Sequence, residues 1–243
     1  MHGKMDAGDI AQKLATMMHE GAAADALLLT ALQPDPVLAA SAISAAVNTL
    51  YRSHRDVSNM LVAAHLGVAW CLGQASLSLD PEVAATLKKR AHAMSFNAAA
   101  NSWPGWGDEG VAIEDGEVEA ARSLAGTCLV LAHDLDLGPK GLGTAHWLIG
   151  ALALALGRDV PARAAFQEAQ RSYTALGDEA PQLLMAQAYD ALAAKFSDEN
   201  SDEIAAALEE ALERLHALGS EDGRFFADQI TRAEQVLNAR RGI

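Results

Sequence analysis

The sequence predicts an all-α protein built of antiparallel helix pairs, ten or eleven helices in all. Three observations predict it. The composition is 51% hydrophobic but only 5% aromatic. It is rich in Ala, Leu and Glu and poor in Val-Ile-Thr runs, which favours helix throughout. Apolar residues recur at helical spacing in one segment after another. Gly, Pro, Asp and Ser punctuate the chain at intervals of one helix each, and no segment reads as a strand. The connections are short, so successive helices are expected to pack as hairpins.

The elements follow in order. Residues 7–20 carry Ile10, Leu14, Met17 and Met18 on one face, and residues 22–33 hold a Leu-rich run. Gly21 either separates two short helices or lies within one. Asp35 is placed to cap a helix over 36–52, with Pro36 at its first position, where a missing N–H costs nothing. A polar turn at Tyr51–Asp56 leads into a helix over 57–77. Asp80-Pro81 opens another over 80–101. The stretch Ser102-Trp103-Pro104-Gly105-Trp106-Gly107-Asp108-Glu109-Gly110 reads as an irregular loop. Asp115 is positioned to cap a helix over 116–135. Gly138-Pro139 is a stop followed by a start. Helices then follow at 141–156, 160–176, 180–196, 201–218 and 221–240.

A repeat signal is clearest at residues 146–174. There His146, Ile149, Gly150, Ala153, Ala162, Phe166, Ala169 and Thr174 fall at the spacings Trp-x2-Leu-Gly-x2-Tyr-x8-Ala-x3-Phe-x2-Ala-x4-Pro. Gly150, Ala162, Phe166 and Ala169 match outright and Ile149 conservatively. His146, Ala153 and Thr174 depart from the pattern. This segment resembles the tetratricopeptide repeat. Small residues at 150, 162 and 169 suit a close crossing of two helices, with Phe166 filling the wedge between them. A weaker echo runs through Leu66-Gly67-x2-Trp70, and another through Leu184, Ala188, Ala191, Ile204, Leu208 and Ala211. If 57–77 is a first helix, strict alternation makes 141–156 a second one, although it carries the first-helix signature; either the early echo is accidental or the alternation slips between them, for which the Trp-Pro-Gly-Trp loop is the natural place.

The resemblance implies a right-handed α-solenoid of stacked pairs with a period of about 34 residues. The chain then reads as a single repeat domain over 1–243. It has a divergent helical half at 1–102, the irregular loop at 103–114 and a clearer repeat half at 115–243. The resemblance also implies a binding module or scaffold for a protein or peptide partner. First-helix residues Trp147, Gln187 and Asp190, with Leu148 and Ala151, are the concave-face candidates.

Charge narrows the partners. The formal net charge is −14, and residues 101–243 carry eleven Lys/Arg against twenty-four Asp/Glu. No basic run exceeds Lys88-Lys89-Arg90, which disfavours nucleic acid and an anionic membrane surface. The acidic half suits a solvated surface or a basic peptide ligand. Cys71 and Cys128 each sit in an apolar helical run and read as buried packing thiols. Residues 1–9 lack the apolar stretch of a signal peptide, and the longest apolar candidate, Trp147–Leu156, is too short for a membrane span. The expectation is a cytoplasmic protein, with self-association left open.

No catalytic or metal-binding pattern stands out. The histidines 2, 19, 54, 65, 92, 133, 146 and 216 show no His-Glu-x-x-His spacing, and Cys-x-x-Cys is absent. His133-Asp134-x-Asp136 reads as electrostatic support at a helix end. No metal or other cofactor is expected. The stretch that invites a ligand is polar and aromatic. Asn97 and Asn101, four apart, share a helix face, and Trp103 and Trp106 flank a rigid Pro-Gly turn. The indoles either plug the array or wall a pocket. In the second case Arg52 and Arg55 are candidate anion partners, and a small-ligand sensor or enzyme becomes the alternative to a protein-binding module. His65, Trp70 and Trp147 lie on apolar faces and read as core.

Overall fold

The computed structural model describes residues 6–197 and 202–242. The sequence reading of residues 1–5, including His2, and of Ser201 lies outside them. Among the described residues the chain is all-α, with eleven α-helices, two short 3-10 turns and no strand. The helices are α1 (Ala7–His19), α2 (Ala23–Ala31), α3 (Pro36–Arg52), α4 (Val57–Leu77), α5 (Pro81–Asn101), α6 (Asp115–Asp134), α7 (Gly138–Ala155), α8 (Asp159–Tyr173), α9 (Pro181–Phe196), α10 (Asp202–Ala217) and α11 (Glu221–Arg241).

Local chemistry accounts for the boundaries. Asp35 accepts hydrogen bonds from the Val37 and Leu38 N–H groups, and Asp80 accepts from those of Glu82 and Val83. In both cases proline occupies the first turn. Gly21, at φ +83°, separates α1 from α2, so residues 7–33 form two helices. α7 begins three residues earlier than the sequence reading, because Gly138 at φ +67° makes the turn and Pro139 fits the first turn of helix. The stretch expected to end at 176 leaves α-helix at Tyr173 and closes with a 3-10 turn over Thr174–Leu176.

The chain divides into two compact units. The first comprises the described residues up to Ser102 together with Ser123–Leu135. In it α4 packs between α3 and α5, and α1 packs on α3. By length and composition α4 is apolar enough to cross a membrane, so it and not Trp147–Leu156 is the longest apolar candidate; its Met60, Leu61, Ala64, Val68 and Cys71 are buried. Gly67 lies against Met94 of α5 and Ile43 of α3. Asp56 caps α4 through the Asn59 N–H and pairs with His19 Nδ1 at 2.6 Å. Burial pushes its carboxyl up, but hydrogen bonds from Asn59 and His19 outweigh this and hold it below the usual carboxylate range.

The second unit comprises Trp103–Arg122 and the described residues from Asp136 onward. α7 packs on α8, α8 on α9, α9 on α10, and α11 on both α9 and α10. The ring of Tyr173 lies beside Gly143 and that of Phe166 beside Gly150. The paired positions run in opposite directions, so α7 and α8 are an antiparallel hairpin. Gly138 and Pro181 begin α7 and α9, 43 residues apart; Pro181 and Glu221 begin α9 and α11, 40 apart. Both spacings exceed the 34 of the sequence expectation. At the far end Arg241 grips Asp159 with two N–H groups (3.0 and 2.6 Å), donates to the Leu154 carbonyl, and lies over the Phe196 ring.

A Cβ on Gly150 would sit 2.6 Å from the buried Phe166 ring, whereas Gly73 in α4 faces open space. Gly150→Ala is therefore expected to lower stability by about 1–3 kcal/mol through overpacking, despite the better helix propensity of Ala. Gly73→Ala is expected to raise it by about 1 kcal/mol. Denaturant unfolding of the two variants checks the opposite signs.

Candidate binding site

The residues singled out in the sequence divide between the two units. Asn97, Asn101, Arg52 and Arg55 belong to the first; Trp103, Trp106, Trp147, Gln187 and Asp190 belong to the second. In the first unit Arg52 ends α3 and Arg55 lies in the α3–α4 turn at φ +54°, both exposed. Asn97 is half-buried on α5. Asn101 turns its amide toward Met60 Sδ of α4 at 3.9 Å. His65 and Trp70 are half-buried on α4.

In the second unit the aromatic loop is an ordered element. Pro104–Trp106 form a 3-10 turn that ends on Gly107 in the left-handed region, φ +62°. Gly105 lies directly against the Trp103 indole, where any side chain would collide with the ring. Trp103 is fully buried and meets the Tyr189 ring edge-on, 6.3 Å between centroids. Trp106 lies 6.2 Å from Trp147 of α7, which itself stands edge-on to Tyr189 at 5.7 Å. Arg232 of α11 donates to the Trp106 carbonyl at 3.4 Å. The turn thus touches α7, α9 and α11.

The three concave-face candidates do not come together. Trp147 is buried beside Trp106 and Tyr189. Gln187 and Asp190 line an open cleft of about 270 Å³ with Arg163 and Gln170 of α8 and Ile204 and Ala207 of α10. Asp190 accepts from Arg163 Nε at 3.1 Å and from Gln170 and Gln167 at 3.4 and 3.5 Å. Its carboxylate ties α9 to α8.

Beside the exposed edge of Trp106 lies an open pocket of about 250 Å³, lined by Gly105, Trp106, Phe225, Asp228, Gln229 and Arg232. Phe225 is 54% exposed and forms an edge-on pair with Phe226. Gln229 is 7% exposed, and neither its Oε1 nor its Nε2 has a hydrogen-bond partner. Such a buried amide lacks the compensation that interior polar groups normally have. The pocket has an aromatic wall and one charge of each sign at its rim, and the Gln229 amide is sealed from solvent behind that wall. Of these residues only Trp106 stood out in the sequence. The signal for Gln229 was its place in the buried stripe of α11, alongside Ala227, Ile230, Ala233 and Leu237. The packing of a loop more than 100 residues away on that helix had no local signal.

Both thiols are buried. Burial pushes Cys71 up to about 11 and Cys128 up to about 12. Cys128 Sγ is 3.4 Å from His92 Nε2, and burial pushes that imidazole below its ordinary value. Both groups are neutral at pH 7. Among the described residues no cluster of three His, Cys, Asp or Glu side chains is arranged to hold a metal.

The fold defines the class, an all-α protein of packed helices. No protein-family model matches the chain, and no curated protein matches it.

Two variants separate scaffold from pocket. Trp103→Ala removes a fully buried indole and is expected to cost about 3–5 kcal/mol, whereas Trp106→Ala, at the pocket edge, is expected to cost less; urea unfolding curves measure both. Gln229→Met keeps the volume and removes the unpaired amide. It is expected to stabilise the fold by about 1–3 kcal/mol, read as a higher thermal midpoint in calorimetry.

Proposed function

We propose that the chain is a tetratricopeptide-like binding module. Its helix pairs stack as a right-handed solenoid, and its second unit takes a protein or peptide partner. One observation carries the reading: a short aromatic-proline segment of the chain itself, Trp103–Trp106, is held against α7, α9 and α11. These alternate helices are the ones a helix-pair array offers to a peptide. The segment leaves the pocket at Phe225, Gln229 and Arg232 open beside it. The crossing of α7 and α8 at Gly150 and Phe166 supports the family likeness. The longer spacing between pairs limits that likeness to the geometry of the pair. A net charge of −14 favours a protein partner over nucleic acid.

Selection of a random-sequence peptide library on the full chain tests this. The expected result is an enriched peptide family that binds in solution and loses about tenfold in affinity for Phe225→Ala or Trp106→Ala, a loss of about 1.4 kcal/mol. Circular dichroism should show both variants folded. No enrichment, or peptides indifferent to both substitutions, would overturn the proposal.

A further inference from the structure

We infer that the pocket beside Trp106 is a subsite for an arginine side chain of the partner: the guanidinium lies against the rings of Trp106 and Phe225 and pairs with the Asp228 carboxylate. This rests on the reading of the second unit as a peptide-binding module and specifies which side chain that module recognises.

Asp228 and the two rings carry the argument. Phe225, Asp228 and Arg232 recur at helical spacing on one face of α11 and line the open pocket with Trp106. Phe225 is 54% exposed, Asp228 is exposed and Trp106 is half-buried, so a ligand in the pocket meets all three directly. On a helix, an acid four residues before an arginine normally takes that arginine as its partner. Here Arg232 is laid along the aromatic turn instead. Its Cδ lies 3.2 Å from where a Cβ on Gly107 would stand, and its Nη1 donates to the Trp106 carbonyl. Among the described residues the ion pairs of α11 are Glu234 with Lys195, Arg240 with Asp115 and Arg241 with Asp159; Asp228 takes part in none of them. An aromatic ring presents a negative face, which attracts a cation and repels an anion. Two rings and a carboxylate therefore set the sign of the ligand, and Arg232, engaged by the turn, does not reverse it. Residues 101–243 carry eleven Lys/Arg against twenty-four Asp/Glu, a field that also draws a cation. Among cations a guanidinium fits better than an ammonium. It is planar, stacks on rings, meets a carboxylate with two N–H groups and is weakly hydrated. The pocket, open and about 250 Å³, suits one long side chain better than an enclosed compound.

The test titrates the full chain, labelled with ¹⁵N, with two blocked tripeptides, acetyl-Ala-Arg-Ala-amide and acetyl-Ala-citrulline-Ala-amide. Citrulline keeps the shape of arginine and removes its charge. The arginine peptide is expected to shift the Trp106 indole N–H resonance and to bind about fivefold more tightly than the citrulline peptide at low salt. Raising the salt concentration should narrow that ratio. Asp228→Asn should cut it to about twofold, the part left by the rings, and Phe225→Leu should weaken the arginine peptide by a few-fold. Both substitutions are at exposed positions, and the amide spectra report whether each variant is folded. Equal binding of the arginine and citrulline peptides to the wild-type chain, or no binding of either, would overturn the inference without any variant being needed. Tighter binding of acetyl-Ala-Glu-Ala-amide would give the site to Arg232 and overturn it too. Free arginine binding more tightly than the blocked tripeptide would mark a small-molecule pocket, with the same result. Library peptides that depend on Phe225 and carry no arginine would leave the wider proposal standing while this one fails.

Discussion

The second unit is organised around the ring of Tyr189. It stacks on Phe166 at 5.4 Å and an interplanar angle of 27°, and it meets Trp147 and Trp103 edge-on. One side chain of α9 thereby touches α8, α7 and the aromatic turn. Tyr189 is fully buried, and burial pushes its phenol well above the ordinary tyrosine range. A chain with 5% aromatic residues and an alanine-rich core has few large side chains to bury. It gains most from each ring by placing it where several elements converge. The rings need space, and glycine supplies it: Gly150 faces Phe166, Gly143 faces Tyr173, and Gly105 faces Trp103. Each is a ring resting where a Cβ would stand, so helix and turn backbones approach more closely than any other residue would permit.

This arrangement explains which parts of the structure were legible in the sequence. The helix starts at Asp35-Pro36 and Asp80-Pro81 were, because a capping carboxylate and a first-turn proline act within a few residues of themselves; the break at Gly21 was not, because a glycine is compatible with helix and turn alike until its φ of +83° is known. The crossing at Gly150 and Phe166 was also legible, because both partners lie in one hairpin. The side from which a helix receives its neighbours was not. Tyr189 and Asp190 are adjacent in sequence but point about 100° apart on α9. Tyr189 faces the aromatic turn and Asp190 faces Arg163 of α8. Periodicity marks a stripe as buried without naming what covers it. The docking of Trp106 on a helix that begins at Glu221 is a contact across more than 100 residues, set by tertiary packing alone.

The fate of the aromatic turn follows from the same reasoning. Two tryptophans around a Pro-Gly turn could have been offered to solvent or folded inward, and composition does not choose between these. In the structure they differ: Trp103 is fully buried, and Trp106 is half-buried at a pocket edge. One indole anchors the turn to Tyr189, and the other is thereby held in place as a wall. An exposed tryptophan on a mobile loop would have to be ordered at each binding event; one positioned by a buried neighbour does not incur that cost.

α11 braces the aromatic turn and the far end of the second unit at several points. Near its middle Arg232 holds the turn through the Trp106 carbonyl. At its end Arg241 reaches Asp159, the Leu154 carbonyl and the Phe196 ring, with its side chain only 17% exposed. Arg240 beside it bonds to the Ile113 carbonyl and to Asp115. The shielded Arg241 pair contributes more than the Arg240–Asp115 pair, whose carboxylate is largely in water. A helix fixed at these points cannot easily rotate to bring Gln229 to solvent or to another partner. Its amide stays buried and unpaired. A core selected for stability alone would place a methionine or leucine there. Gln229 is instead an unpaired amide sealed behind the exposed Phe225 and the braced Trp106, a desolvation that the packing of the rest of α11 offsets.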